Sequence, residues 1–293
     1  MRRSILLRLV LVLLVALTAS PLVAQDWAKA TLEKSPRHRE YVAIKHGDRT
    51  VQAFVVYPEV SQKAPVVLMI HEIFGLSDWA KEMADELAAQ GFIVVAPDLL
   101  YGFGPNGGGP NGGGTEAFPG QDAVTKAVSA LDPALVTADL DAAADYGKRL
   151  PSANGRLFVA GFCWGGGKSF DFATHRRDLA AAFVFYGPPP ADITAITAPV
   201  YGFYGGNDAR ITATVPATTD AMKAAGKKFE PVIYDGAGHG FMRAGEDPAP
   251  PASTTPAMAV ANKTARTEGF KRLVALINQE NAAPSASHSP AAR

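Results

Sequence analysis

Residues 161–169 read Gly-Phe-Cys-Trp-Gly-Gly-Gly-Lys-Ser and contain the only cysteine of the 293-residue chain. The end of this stretch looks like a phosphate-binding loop. Such a loop needs a glycine six residues before its lysine, so that successive backbone N–H groups can wrap a phosphate. Counting back from Lys168, that position is Phe162, and the glycine stands one place earlier at Gly161. The register fails. What remains over 161–165 is Gly-x-Cys-x-Gly, the frame of a strand-to-helix elbow that lifts a central nucleophile into a cleft. The bland alternative is a lone cysteine buried as a small hydrophobe.

The surrounding pattern supplies what an elbow needs. Continuous apolar runs at 65–70, 92–96, 156–160, 181–186, 200–204 and 229–234 read as strands, the first ones buried on both faces. Helical spacing separates them at 77–90, 133–148, 213–225 and 257–279. Two alternating runs, 41–46 and 51–57, flank Gly47-Asp48 and read as a hairpin at one edge. Alternation of this kind predicts an α/β fold with a mostly parallel central sheet and helices on both faces, in one domain over 25–280. Residues 102–114 carry Pro-Asn-Gly-Gly-Gly twice and read as a surface loop, while 281–293 read as a disordered tail.

The chain opens with a basic lead (Met1-Arg2-Arg3), an apolar run over 5–17, and small residues up to Ala24. This predicts a signal peptide over 1–24, cleavage after Ala24, and an exported, periplasmic or secreted protein without stable membrane insertion. An uncleaved anchor is the alternative. With 28 basic and 28 acidic residues, the formal net charge is zero, which gives no electrostatic reason to expect nucleic acid as a partner. The expected partner is a small molecule, and the expected state a monomer.

An ordinary thiol has a pKa of about 8.5, so a cysteine nucleophile needs a base, and the base needs an orienting group. In elbow hydrolases these follow in the order nucleophile, acid, histidine, each at the end of a strand. Asp208 follows the run ending at Tyr204, and His239 follows the run ending at Tyr234. Asp208 read alone is equally a turn former or helix cap. His71 ends a strand and is a rival base, although it precedes the cysteine. No metal-ligand spacing is present among these residues.

Together, His71-Glu72-Ile73-Phe74-Gly75, Ala96-Pro97-Asp98-Leu99, Gly161-Phe162-Cys163-Trp164-Gly165-Gly166, Asn207-Asp208 and His239-Gly240-Phe241 resemble the dienelactone hydrolase family of α/β-hydrolases over about residues 40–280. The resemblance implies Cys163 as nucleophile, His239 as base, Asp208 as its orienter and Glu72 as a further carboxylate that helps activate the thiol. It implies Arg243 as a substrate-binding cation, with Tyr101 also at the substrate, and no cofactor. The expected oxyanion donors are the backbone N–H groups of Trp164 and Ile73. Read without the resemblance, Glu72 is a carboxylate needing a cationic partner, for which Arg243 is the candidate; a helix cap or a surface ion pair is the alternative. The family's second carboxylate-binding arginine has no counterpart, since no arginine lies between Asp98 and Arg149. The expected reaction is hydrolysis of a carboxylic ester or lactone through an acyl-thioester. The alternatives are a broad-specificity exported esterase or thioesterase, and a non-catalytic envelope binding protein on the same fold.

Overall fold

Two uninterrupted apolar runs become the middle of the sheet. In a computed structural model describing residues 26–104, 113–244 and 254–284, β3 (Ala64–Ile70) and β4 (Ile93–Asp98) are buried at every position. The other strands are β1 (Arg39–His46), β2 (Arg49–Val56), β5 (Ala153–Phe162), β6 (Leu179–Phe185), β7 (Val200–Gly205) and β8 (Phe229–Tyr234). They form one sheet in the order β1-β2-β4-β3-β5-β6-β7-β8. β2 pairs antiparallel with both β1 and β4, and every other pairing is parallel. The expected edge hairpin is present, turned at Gly47 with φ 54°.

Helices cover both faces, as the alternating pattern requires. On one side α2 (Asp78–Ala89) and α8 (Pro256–Ala282) bury Trp79, Met83, Leu87, Leu273 and Ile277 against Phe158, Phe162 and Phe185. On the other, α4 (Pro133–Arg149) and α5 (Trp164–His175) bury Val136, Leu140, Phe170 and Phe172 against Val66, Leu68 and Val159. Ser77 caps α2 and Asp132 caps α4 through their side chains, satisfying N–H groups that a helix start leaves open.

Several elements differ from the sequence expectation. α1 (Asp26–Glu33) and α3 (Gln121–Ser129) were not anticipated; α3 buries only Val124 and Val128, too little to register as periodicity. The helix expected over 213–225 is α7 (Val215–Ala224), starting where Pro216 suits a first turn, and a short helix not anticipated, α6 (Ala209–Thr212), precedes it. α8 runs three residues past its expected end. Tyr201 Oη donates to Glu280 Oε1 at 2.5 Å, and Arg156 donates to the Glu280 carbonyl, which fastens the last turn to the sheet. Residues 1–24, most of the glycine-rich loop (105–112) and the end of the tail (285–293) lie outside the described residues. Among the described residues, no helix is long and apolar enough to cross a membrane.

Candidate active site

At the end of β5 the chain reverses into α5 within one residue. Cys163 sits at that reversal with φ 56° and ψ −116°, a region a side chain occupies only when its surroundings enforce it. The enforcement is visible. A Cβ on Gly161 would lie 1.9 Å from the Gly165 carbonyl oxygen, and one on Gly165 would lie 2.3 Å from that of His71. Both glycines are therefore sterically required. Cys163 N–H donates to Phe185 O at 3.0 Å, tying the elbow to β6.

The thiol faces the histidine. His239 Nε2 is 3.0 Å from Cys163 Sγ, and His239 Nδ1 is 2.5 Å from Asp208 Oδ2. Asp208 stands just before α6, yet its side chain does not cap that helix; it meets the imidazole instead. The loops bearing these two residues are bound together, Asn207 N–H donating to Ala237 O at 2.8 Å, and the His239 loop is tied to α8 by Gly238 N–H donating to Asn262 Oδ1 at 2.7 Å. Burial works against a charged imidazole here, but Asp208 and the sulfur outweigh it and raise the His239 pKa from 6.5 to about 9. This arrangement favours the protonated, imidazolium form of His239.

Glu72, in the loop after β3, is 1 % exposed in its side chain and lies with Oε2 3.0 Å from Arg243 Nε. Its other oxygen accepts from the buried Tyr186 hydroxyl at 3.1 Å. The helix-cap alternative for Glu72 is thereby excluded. The Arg243 guanidinium also lies 5.0 Å from the centre of the Phe74 ring. Burial, with Glu72 alongside, pushes Tyr186 well above the ordinary phenol range, so it remains a donor. Sequence reasoning missed Tyr186. Its φ of 40° at the end of β6 and its ring 5.0 Å from that of His239 mark it as part of the site. The one available signal was the abrupt Tyr-Gly-Pro-Pro break after an apolar strand.

Trp164 begins α5, and Ile73 lies in the loop after β3. Neither backbone N–H has a protein partner among the described residues. The Trp164 ring stacks on His71 at 5.7 Å, with the Lys168 ammonium 5.6 Å from its centre. His71 itself is fully buried and turned to its own loop rather than to the sulfur. Tyr101 is linked through its backbone to Asp98 and Gly113, and among the described residues no hydrogen bond or ring contact joins it to Cys163 or His239. Among the described residues, no cluster of three His, Cys, Asp or Glu side chains is placed to hold a metal ion.

Comparison with known proteins places the sequence in a family. The sequence profile of the dienelactone hydrolase family matches residues 51–281. The chain belongs to the dienelactone hydrolase family. A Salmonella typhimurium protein provisionally named a carboxymethylenebutenolidase is 34 % identical over 204 residues, 64 % of this chain and 72 % of its own length. Carboxymethylenebutenolidase 1 of Cupriavidus pinatubonensis is 29 % identical over 68 % of this chain and 84 % of its own. The crystal structure of a Klebsiella pneumoniae protein, provisionally a dienelactone hydrolase, superposes with a TM-score of 0.67 at 26 % identity. The match covers 83 % of this chain and 99 % of that one. Membership places the chain among the carboxylic ester hydrolases with an α/β-hydrolase fold.

Proposed function

We propose that the chain hydrolyses a small carboxylic ester or lactone with Cys163 as nucleophile, His239 as acid–base and Asp208 as the group orienting His239. The observation that supports this most is the unbroken sequence of contacts, 3.0 Å from Sγ to Nε2 and 2.5 Å from Nδ1 to Asp208. The thiol proton passes to Nε2, and the thiolate attacks the ester carbonyl. The carbonyl oxygen gains negative charge and is received by the N–H groups of Trp164 and Ile73. As the tetrahedral intermediate collapses, the C–O bond breaks and Nε2–H protonates the leaving oxygen, leaving an acyl-thioester. Water then attacks the thioester. His239 takes one of its protons and returns it to the departing sulfur. Each step uses groups of the chain and water.

Arg243 and Glu72 flank this centre as a pair that offers a substrate carboxylate one cation, already engaged by an anion. With no arginine between Asp98 and Arg149, the site favours uncharged aryl esters and lactones, which supports the reading as a broad-specificity esterase. A hydrolysis screen of lactones, aryl esters and thioesters tests the proposal. Turnover by the parent and its loss in Cys163→Ala is the expected result; no turnover of any substrate class would favour a binding protein. Export is proposed from the first 24 residues, and intact-mass measurement from the native host should find a mature chain beginning at Gln25. A membrane-bound chain retaining residues 1–24 would point to an anchor.

A further inference from the structure

His71 is a buried titratable group that the proposed reaction does not use. Its Nδ1 lies 2.7 Å from the carbonyl oxygen of Glu72. A carbonyl only accepts, so Nδ1 carries the proton and the ring is the neutral Nδ1–H tautomer. Burial lowers its pKa, opposing the nearby Asp98 and the backbone contacts, and so keeps the ring uncharged. Its Nε2 has no hydrogen-bond partner among the described residues. Leaving a buried acceptor bare is costly, so the position is held by what the other nitrogen does.

The bond that Nδ1–H makes falls on a particular peptide. The Glu72 carbonyl and the Ile73 N–H belong to one planar unit and point in opposite directions. Fixing the carbonyl therefore aims the N–H. A second donor, Gly75 N–H, reaches the same oxygen at 3.1 Å. From outside the loop, Thr115 Oγ1 accepts from Leu76 N–H at 2.8 Å and donates to Asp98 Oδ1 at 2.9 Å, while Thr115 N–H donates to Asp98 Oδ2 at 2.7 Å. The carboxylate of the Pro97-Asp98-Leu99 stretch thus anchors the loop from the end of β4. On its other side His71 stacks against Trp164, whose N–H is the second proposed donor.

We infer that His71 is a positioning residue: its Nδ1–H holds the Glu72–Ile73 peptide so that the Ile73 N–H is pre-aimed at the developing oxyanion. This rests on the reading that Cys163 attacks an ester and that Ile73 receives its carbonyl oxygen. Two replacements separate aiming from packing. His71→Phe keeps a buried, stackable ring and removes the donor. His71→Asn places an amide N–H near the Nδ1 position and gives up the ring.

The test is steady-state hydrolysis of p-nitrophenyl acetate together with thermal unfolding of both variants, with Cys163→Ala as control. Removing one oxyanion donor costs about 10²–10³ in kcat, so a mis-aimed donor in His71→Phe should lower kcat about 30- to 100-fold, with KM within about threefold of the parent. His71→Asn should keep kcat within about tenfold of the parent while melting lower than His71→Phe. The more stable variant is thus the slower one, an order that a purely structural role reverses. Parent-like kcat in His71→Phe, a loss carried by KM, or a lower kcat in His71→Asn than in His71→Phe overturns the inference while Cys163→Ala remains inactive. Parent-level turnover by Cys163→Ala overturns the underlying reading, and this inference with it.

Discussion

Replacing Asp208 by asparagine removes the charge that faces His239 Nδ1 while keeping the side chain's shape. In the parent, burial disfavours the imidazolium, yet Asp208 and the Cys163 sulfur raise the pKa from 6.5 to about 9. That rise corresponds to about 3 kcal/mol, or a factor of a few hundred in the equilibrium. It is an upper bound, because the 30 %-exposed ring is partly screened by solvent. Asp208 supplies only part of it, so Asp208→Asn should lower kcat/KM between about 10- and 300-fold. The alkaline limb of the pH profile, near 9 in the parent, should move toward 6.5. Stability follows the same linkage. A folded-state pKa above the unfolded value stabilises fully below about 6.5, and that contribution is lost as pH rises through about 9. The parent should therefore lose more Tm than Asp208→Asn between pH 6.5 and 9. The assay is kcat/KM for an aryl ester from pH 5 to 10, paired with thermal melts over that range. A loss under threefold with the alkaline limb unmoved would refute the assignment of Asp208 as the orienting group.

Two further outcomes follow from the Glu72 environment. Uncharged aryl esters should be turned over with kcat/KM within about tenfold of carboxylate-bearing analogues, since a fully effective charge-assisted contact would give more; a several-hundredfold preference for the carboxylate, erased by Arg243→Ala, would show that one arginine suffices. Tyr186→Phe strips the donor from the buried Glu72 Oε1 and should cost about 1–3 kcal/mol, read as a Tm lower by about 2–4 °C per kcal/mol; an unchanged Tm would mean that the contact contributes nothing.

Much of this was legible in the residues. The apolar runs at 65–70 and 92–96 become β3 and β4 because only strands covered on both faces bury every position. The glycines around Cys163 announced the elbow, since their missing side chains reflect backbone approaches that leave no room for a Cβ. Chain order brought Asp208 and His239 to the thiol, and charge complementarity paired Glu72 with Arg243. Tyr186 was not legible because its partner is 114 residues away and its positive φ leaves no mark on composition. α3 escaped because two buried valines do not make a period. The orientation of His71 was hidden for a third reason. A histidine beside a glutamate suggests charge chemistry, whereas its bond goes to that residue's backbone carbonyl.

The central claim is that the acyl group passes through Cys163. Rapid quenching in acid during turnover of a slowly deacylating aryl ester, followed by intact-mass and peptide mapping, tests it directly. The expected result is a mass increase equal to the acyl group, located on the peptide containing Cys163, removed by hydroxylamine and absent in Cys163→Ala. Turnover without any acylated peptide at Cys163, or undiminished turnover in Cys163→Ala, would contradict it.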